Sequence, residues 1–366
     1  MNIRLLSPTT INRIAAGEVV ERPASAIKEL VENSIDAQAK TIELTISNGG
    51  LTFFSVIDDG IGMKSNELSL AVERHATSKL PNDSLENIST LGFRGEALPS
   101  IGSVSRMKIY SRSKQSNDAW MIKIEGGIKS EASPCALGQG TSIEVSDLFF
   151  ATPARLKFLK TAKTENSHCI DAVKRLAMAH PEISFTVHGD DRTLLKLPKS
   201  TGNLFSARLQ RLDLIMGNQF ADNALLIDSE RENIKLTGHI SLPTLNRGNS
   251  TLQFLFVNGR PVKDKILYGA VRGAYRDFLA HDRHPLLALF LEIPSDQLDI
   301  NVHPAKTEVR FENPSIIRGL IVSALKHALA EAGHRASTST SKYALGAIQT
   351  EYEKTPYNNS QYNFPQ

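Results

Sequence analysis

Two strand-like runs, Thr41 to Ile46 and Leu51 to Ile57, are separated by little more than Asn48-Gly49-Gly50. Residues of that kind accept the left-handed backbone of a tight turn, so the runs are predicted to pair as an antiparallel hairpin. Upstream, Pro23 suits the first turn of a helix, where its missing N–H leaves no bond unmade. That helix would bury Ile27, Leu30, Val31 and Ile35 along one stripe at 3.6-residue spacing. A helix stripe followed by a hairpin is the start of a mixed α and β layer.

From Gly60 to Gly102 the chain is polar and punctuated by glycine, and reads as a mobile loop carrying a short helix. Strands are predicted at Ser105 to Ser111, Ala119 to Ile124 and Thr141 to Val145, then a helix start at Thr152-Pro153. A further helix runs from about Thr164 to His180, ahead of Pro181. Around Thr201-Gly202 the pattern restarts, with strands at Ala224 to Ile227, Ile234 to Ile240, Gln253 to Val257 and Leu286 to Ile293. Helices are expected near Lys263 to Ala280 and Pro314 to Ala332. The fold class is therefore α+β, in two units spanning 1–205 and 206–335. The residues from about Ala336 are rich in Ser, Thr, Asn, Gln and Tyr without a periodic apolar face, and 336–366 reads as a flexible linker or tail. A chain ending in such a stretch is expected to continue into a further domain.

The 366 residues are enough for two or three domains, and no apolar run approaches the roughly 18 residues of a membrane span. The first residues lack the apolar core of a secretory signal, and the only cysteines, Cys135 and Cys169, cannot make a disulfide framework. A reducing cytoplasm fits. A formal charge of +3 does not by itself imply nucleic-acid binding, which needs a local basic patch.

Glu29 and Asn33 stand four apart on the predicted helix, with Asp36 three further on, so all three share a face rotated away from the apolar stripe. A carboxylate beside an amide oxygen suits a general base next to a magnesium ligand; a polar face in water satisfies the same spacing. Asp58-Asp59-Gly60-Ile61-Gly62 follows an apolar strand. A carboxylate at a strand end can accept from an exocyclic amine such as that of adenine, and Gly60 and Gly62 would let the backbone approach a flat ring; an ordinary strand-ending turn has the same composition. Gly92-Phe93-Arg94-Gly95-Glu96-Ala97-Leu98 resembles a loop entering a helix, whose N–H groups can cradle phosphate, and Thr77, Ser78 and Lys79 add donors. No G-x-x-x-x-G-K-[ST] occurs, and no G-x-G-x-x-G opens a helix after a strand, which argues against a P-loop or Rossmann site.

Taken in order, these blocks resemble the GHKL ATPases, the class that includes DNA gyrase, the ninety-kilodalton heat-shock chaperone and sensor histidine kinases. Within that class the wording is similar to the MutL mismatch-repair family. The matching blocks are Arg13 to Pro23, Arg74 to Lys79, Gly92 to Leu98, Ala151 to Phe158, Phe256 to Pro261 and Asn301 to Lys306, and the likeness covers roughly residues 1 to 335. It implies a Bergerat-type α/β sandwich followed by a ribosomal-protein-like α+β domain. It gives Glu29 the role of general base, Asn33 that of Mg2+ ligand, and Asp58, helped by Thr141, the reading of the adenine amine of ATP. A lid over about 62–98 would close on the phosphates, and Lys306 of the second unit would reach the γ-phosphate. It further implies an ATP-dependent switch that hydrolyses slowly, forms a homodimer on ATP binding, clamps DNA, and links mismatch recognition by MutS to downstream nuclease and helicase. No nuclease is predicted in this stretch.

Sequence-independent DNA contact is expected from Arg260, Lys263, Lys265, Arg272 and Arg276, in and around one predicted helix; a solvated helix face is the plain alternative. His281, His284 and His303 match no zinc spacing. Three other readings fit parts of this pattern. A type II topoisomerase ATPase subunit is disfavoured by the blocks at Gly92 and Asn301. A non-catalytic scaffold binding DNA or MutS is disfavoured by the presence of Glu29 and Asn33. A histidine kinase would need a phosphoacceptor hairpin ahead of Ile11.

Overall fold

The computed structural model describes residues 3–79, 90–92, 94–299 and 309–348. Residues 80–89, Phe93, residues 300–308 (which include Lys306) and 349–366 lie outside the described residues.

The first unit opens with helices α1 (Pro8–Val19) and α2 (Pro23–Asp36), then strands β1 (Thr41–Ser47) and β2 (Phe53–Asp58). The short helix α3 (Ser65–Ala71) and α4 (Ala97–Val104) follow, then β3 (Arg106–Arg112), β4 (Ala119–Glu125), β5 (Ile128–Lys129), β6 (Ser133–Cys135) and β7 (Gly140–Ser146). Helix α5 (Ala162–Ala179) leads to β8 (Ser184–His188) and β9 (Thr193–Leu197). Among the described residues these strands form a nine-stranded sheet in the order β5-β4-β3-β7-β2-β1-β8-β9, with β6 on β4. All neighbours are antiparallel except β1 and β8.

The β1–β2 hairpin is as expected: Asn48, Gly49 and Gly50 all take positive φ, at 50°, 68° and 83°. A Cβ on Gly49 would come within 2.5 Å of the Ala162 carbonyl oxygen, so this glycine also lets α5 close down on the turn. The strands bury one face: Ile42, Leu44 and Ile46 of β1 join Ile27, Leu30 and Val31 of α2, Ile101 and Val104 of α4, and Val173 and Leu176 of α5 in one core. The helix start expected at Thr152-Pro153 is a 3-10 turn over Pro153–Phe158. The α-helix begins only at Ala162, capped by Thr161.

The second unit holds α6 (Leu204–Met216), α7 (Asn218–Asp222), β10 (Ala224–Arg231), β11 (Ile234–Ser241), β12 (Asn246–Arg247), β13 (Gln253–Val257) and β14 (Arg260–Val262). It continues through α8 (Lys265–Tyr275), β15 (His284–Pro285), β16 (Leu287–Glu292), β17 (Leu298–Asp299), β18 (Arg310–Phe311) and α9 (Pro314–Ile348). Its main sheet runs β10-β11-β16-β13-β14, with β13 and β16 parallel. The expected boundary at 205 falls in the first turn of α6. This helix is bolted back to the first unit: the buried Arg211 guanidinium donates to the carbonyls of Ala177, Pro181, Ile183 and Pro198 at 2.8–3.1 Å. Burial draws its pKa down to about 10, against a smaller upward pull from Glu182.

The end of α9 corrects the sequence reading. The backbone remains helical to Ile348, where a linker was expected from Ala336. No proline interrupts this stretch, and extending an established helix by one residue avoids the cost of nucleation that a separate helix would bear. Among the described residues no helix is long and apolar enough to cross a membrane.

Candidate functional site

The face of α2 predicted from spacing is present. Glu29, Asn33 and Asp36 are half-buried, while Ile27, Leu30 and Val31 between them are in the core. Lys28 lies beside Glu29 at 3.4 Å and beside the buried Glu32 at 2.8 Å. Burial pulls the Lys28 ammonium down, but the attraction of Glu32 and then Glu29 outweighs it, so its pKa stands above the ordinary lysine value. Lys28 thus holds the Glu29 carboxylate at a fixed place near the start of the face.

Asn33 and Asp36 share a cation. The Lys79 Nζ donates to Asn33 Oδ1 at 2.7 Å and to Asp36 Oδ2 at 2.6 Å. Asp36 also accepts from the backbone N–H groups of Leu91 and Gly92, at 2.9 and 3.1 Å. Lys79 and the stretch Leu91–Gly92 of the expected lid are therefore gathered on one carboxylate of α2. Thr77 acts locally, its Oγ1 accepting from Lys79 N at 3.1 Å, and Ser78 is exposed. Gly95 has φ 63°, and a Cβ there would sit 2.4 Å from the Ala76 carbonyl oxygen. Glu96 precedes α4 and lies 3.7 Å from Arg74; Ala97 and Leu98 form its first turn, and Arg94 is half-buried.

Asp58 ends β2 at 8% exposure. Ser34 Oγ donates to its Oδ2 at 2.8 Å and Gly60 N to its Oδ1 at 2.9 Å. Burial raises the carboxyl pKa, opposed by the hydrogen bonds from Ser34, Gly60 and Thr141. Thr141 stands opposite Asp58 in the β2–β7 register, and its hydroxyl lies 2.9 Å from Ser111 Oγ. Ser111 in turn accepts from Met63 N at 2.8 Å, tying the chain after Gly62 to the sheet. Ser34 and Ser111 were not among the predicted site residues. The only trace of Ser34 is its place beside Asn33 on α2; Ser111 carries none, because its partners are 30 and 48 residues away.

Gly60 and Gly62 each make room for a backbone carbonyl. A Cβ on Gly60 would meet the Ala37 carbonyl oxygen at 2.7 Å, and one on Gly62, at φ 64°, would meet that of Arg112 at 2.0 Å. The close approach visible here is of backbone to backbone, which fixes the turn beneath Asp58. A cavity of about 500 Å3 beside Gly60 is lined by Gln38, Lys40, Asp59, Ile61, Gln139 and Glu182, and includes neither Asp58 nor Asn33. Ile35 of α2 also lines it, whereas Glu29 and Asp36 do not.

The predicted basic stripe divides. Lys263, Lys265, Arg272 and Arg276 are exposed on and around α8, with Arg272 paired to the His281 ring at 2.5 Å. Arg260 does not belong with them. It is buried at 4% exposure and donates to the carbonyls of Leu91 and Thr90 at 2.8 and 2.5 Å. A side chain enclosed by protein on this scale cannot neutralise a DNA phosphate, so its assignment to DNA is withdrawn.

Comparison with known proteins bears on the family and the fold. Residues 21–144 match the family described as histidine kinase-, DNA gyrase B-, and HSP90-like ATPase, and residues 212–330 match the DNA mismatch repair protein, C-terminal domain. Across 349 residues the chain is 60% identical to the DNA mismatch repair protein MutL of Rhodospirillum rubrum, covering 95% of this chain and 56% of that protein. The chain thus spans little more than half the length of that relative. Among solved structures, the N-terminal domain of a DNA repair protein superposes with a TM-score of 0.72 at 26% identity, covering 88% of this chain and 98% of that one. The Aquifex aeolicus MutL ATPase domain complexed with ADP gives 0.59 at 27% identity, covering 83% and 98%. By its high identity to such relatives over nearly its whole length, and by an α+β fold shared with MutL ATPase domains, the chain belongs to the MutL family of DNA mismatch repair proteins.

Proposed function

We propose that the chain binds ATP at the α2 face and hydrolyses it slowly as a conformational switch in DNA mismatch repair. The observation that carries this reading is the meeting of Asn33, Asp36 and Lys79 with the Leu91 and Gly92 amides, close in sequence to Glu29 on one side and to Ser34, which holds Asp58, on the other. The 27% identity to the Aquifex aeolicus MutL ATPase domain complexed with ADP supports an adenine nucleotide as the ligand.

In this reading Asp58 accepts from the exocyclic amine of adenine, with Ser34 and Thr141 holding its carboxylate. Glu29 takes a proton from water as the water oxygen bonds to the γ-phosphorus; the bond to the β,γ-bridging oxygen breaks and its electron pair leaves with ADP. Asn33 would hold Mg2+, and the donors fit, since its Oδ1 and the neighbouring Asp36 already grip an ammonium at 2.7 and 2.6 Å and hard cations prefer oxygen. When bound, the metal supplies charge neutralisation at the phosphate oxygens. Lys79 is the cation available to the polyphosphate, and the Gly92 to Leu98 stretch offers backbone donors. Lys306, from the second unit, is assigned to the γ-phosphate on the family resemblance.

The wider role follows the same resemblance: a lid over about 62–98, homodimer formation on ATP binding, and coupling of MutS to downstream nuclease and helicase. Lys263, Lys265, Arg272 and Arg276 would meet DNA phosphates without reading sequence. The test is steady-state ATP hydrolysis by wild type, Glu29→Ala and Asn33→Ala, with size-exclusion runs with and without a non-hydrolysable analogue. Glu29→Ala is expected to lose about 100-fold or more of the rate while still binding ATP, and Asn33→Ala to lose binding itself. Equal hydrolysis in wild type and Glu29→Ala would sink the assignment, and a wild type that neither hydrolyses nor changes size would favour the scaffold reading.

A further inference from the structure

Arg260 reaches from the second unit into the lid segment of the first. It follows the turn Val257-Asn258-Gly259, in which Asn258 and Gly259 have φ of 48° and 77°. The turn is pinned from the side, because Asn258 Nδ2 donates to the Ile293 carbonyl at 2.9 Å and Asn258 Oδ1 accepts from Ile293 N at 2.8 Å. Arg260 itself pairs with Val257 in the β13–β14 ladder. Its backbone is therefore held by the rigid part of the second unit.

From that base the guanidinium fork grips two consecutive carbonyls, those of Thr90 and Leu91. The amides of Leu91 and Gly92 point the other way and end on Asp36 of α2. The segment is thus clamped on both sides, with its N–H groups on the first unit and its C=O groups on the second. Burial lowers the pKa of the Arg260 guanidinium, against a smaller upward pull from Glu32, Asp36 and Glu29. A planar fork matches two neighbouring carbonyls better than an ammonium does.

We propose that Arg260 is a positioning residue of the nucleotide site: it transmits the seat of the second unit to residues 90–92, and so sets whether Gly92 and Lys79 stand at Asn33 and Asp36. The inference rests on the reading of the α2 face as that site. It assigns to the second unit a hold on residues 90–92 through their carbonyl groups.

The test combines two readouts on wild type, Arg260→Ala and Arg260→Lys. The first is hydrogen exchange at the Leu91 and Gly92 amides without nucleotide; the second is KM and kcat for ATP. Arg260→Ala is expected to speed exchange at Leu91 and Gly92 about tenfold or more, leaving β13 and β16 unchanged, and to raise KM more than it lowers kcat. Arg260→Lys, which keeps the charge and loses the fork, should recover part of both effects, and it carries the comparison if the alanine variant does not fold. Unchanged exchange at Leu91 and Gly92 in the variants would overturn the proposal, as would an equal rise throughout β13 and β16, which marks a packing role only. Absence of hydrolysis in wild type would remove the ATPase reading, yet the exchange result would still decide whether Arg260 holds the segment.

Discussion

In β1 the residues alternate between core and surface, whereas β13 is buried from Gln253 to Val257 and β16 from Leu287 to Leu291. The first sheet packs its helices into one core on one face. The second is covered on both: Leu255, Val257 and Leu289 face α8 and α9, while Phe254, Phe256 and Phe290 face α6, α7 and Met178 of α5. The far face of the second unit is therefore closed partly by the first. Polar side chains with chemical capacity gather on α2, at Lys79 and at residues 91–92. The contrast separates a scaffold, whose residues are fixed by packing, from a site, whose residues are fixed by hydrogen bonds to chain segments far away in sequence.

The strongest way to break this contrast is in the doubly covered sheet. Phe256 and Phe290 stack at 4.5 Å between centroids and 8° between planes, and Arg208 lies over Phe290 at 4.0 Å. Phe256→Ala is expected to cost about 3–5 kcal/mol in a urea melt, with nucleotide affinity unchanged wherever the protein remains folded. A fall in affinity at temperatures where the variant is native would show that scaffold and site are not separable.

Titration sharpens the same comparison, because the two units carry buried groups shifted in opposite senses. His239 faces Ala288 across the β11–β16 pair, and burial, then the Arg208 charge, push its pKa down to about 4. The unfolded chain binds this proton at about pH 6.5 and the folded chain only near 4, so the contribution is full above 6.5 and is lost as pH falls through that window. On the order of 3 kcal/mol is at stake, and His239→Gln should flatten the acid limb of urea midpoints between pH 7 and 4. Asp58 behaves in reverse: its raised pKa means that the fold binds the proton more readily, so its contribution declines as pH rises through the folded value. Asp58→Asn should remove that decline. Acid limbs identical in wild type and His239→Gln would contradict the sign given for the second unit.

The smallest effects on stability are expected on the exposed rim of the second unit. Arg272→Ala and Arg276→Ala should change stability by less than about 0.5 kcal/mol. Each should lower the slope of log K for duplex DNA against log salt by about one, whatever the sequence of the duplex. Slopes that do not move would remove Arg272 and Arg276 from the proposed DNA contact.

The residues legible in the sequence are those whose relation is local. Glu29, Asn33 and Asp36 fall on one face because helix geometry puts positions three and four apart together, and Asn48-Gly49-Gly50 pairs β1 with β2 because three positive φ angles in a row leave the chain few other paths. Asp58 was legible as a strand-end carboxylate. Gly60 and Gly62 were read as room for a ring, whereas the contacts they permit, to Ala37 and Arg112, depend on which strands lie alongside.

Arg260 marks the opposite limit. In sequence it is one of several basic residues around a helix start, indistinguishable from Lys263 or Lys265; in the fold it bonds carbonyls 169 and 170 residues away and leaves the surface altogether. Periodicity and turn chemistry act over a few residues, so the sequence by itself determined the α+β class, the hairpin and the polar face of α2. Which unit closes the far face of the second sheet and which arginine is withdrawn from solvent were decided only when the two units packed, and which cation rests on Asn33 only when residues 46 apart met within the first unit. Those choices are made by contacts between segments that no local rule relates, under the requirement that every buried charge find a partner.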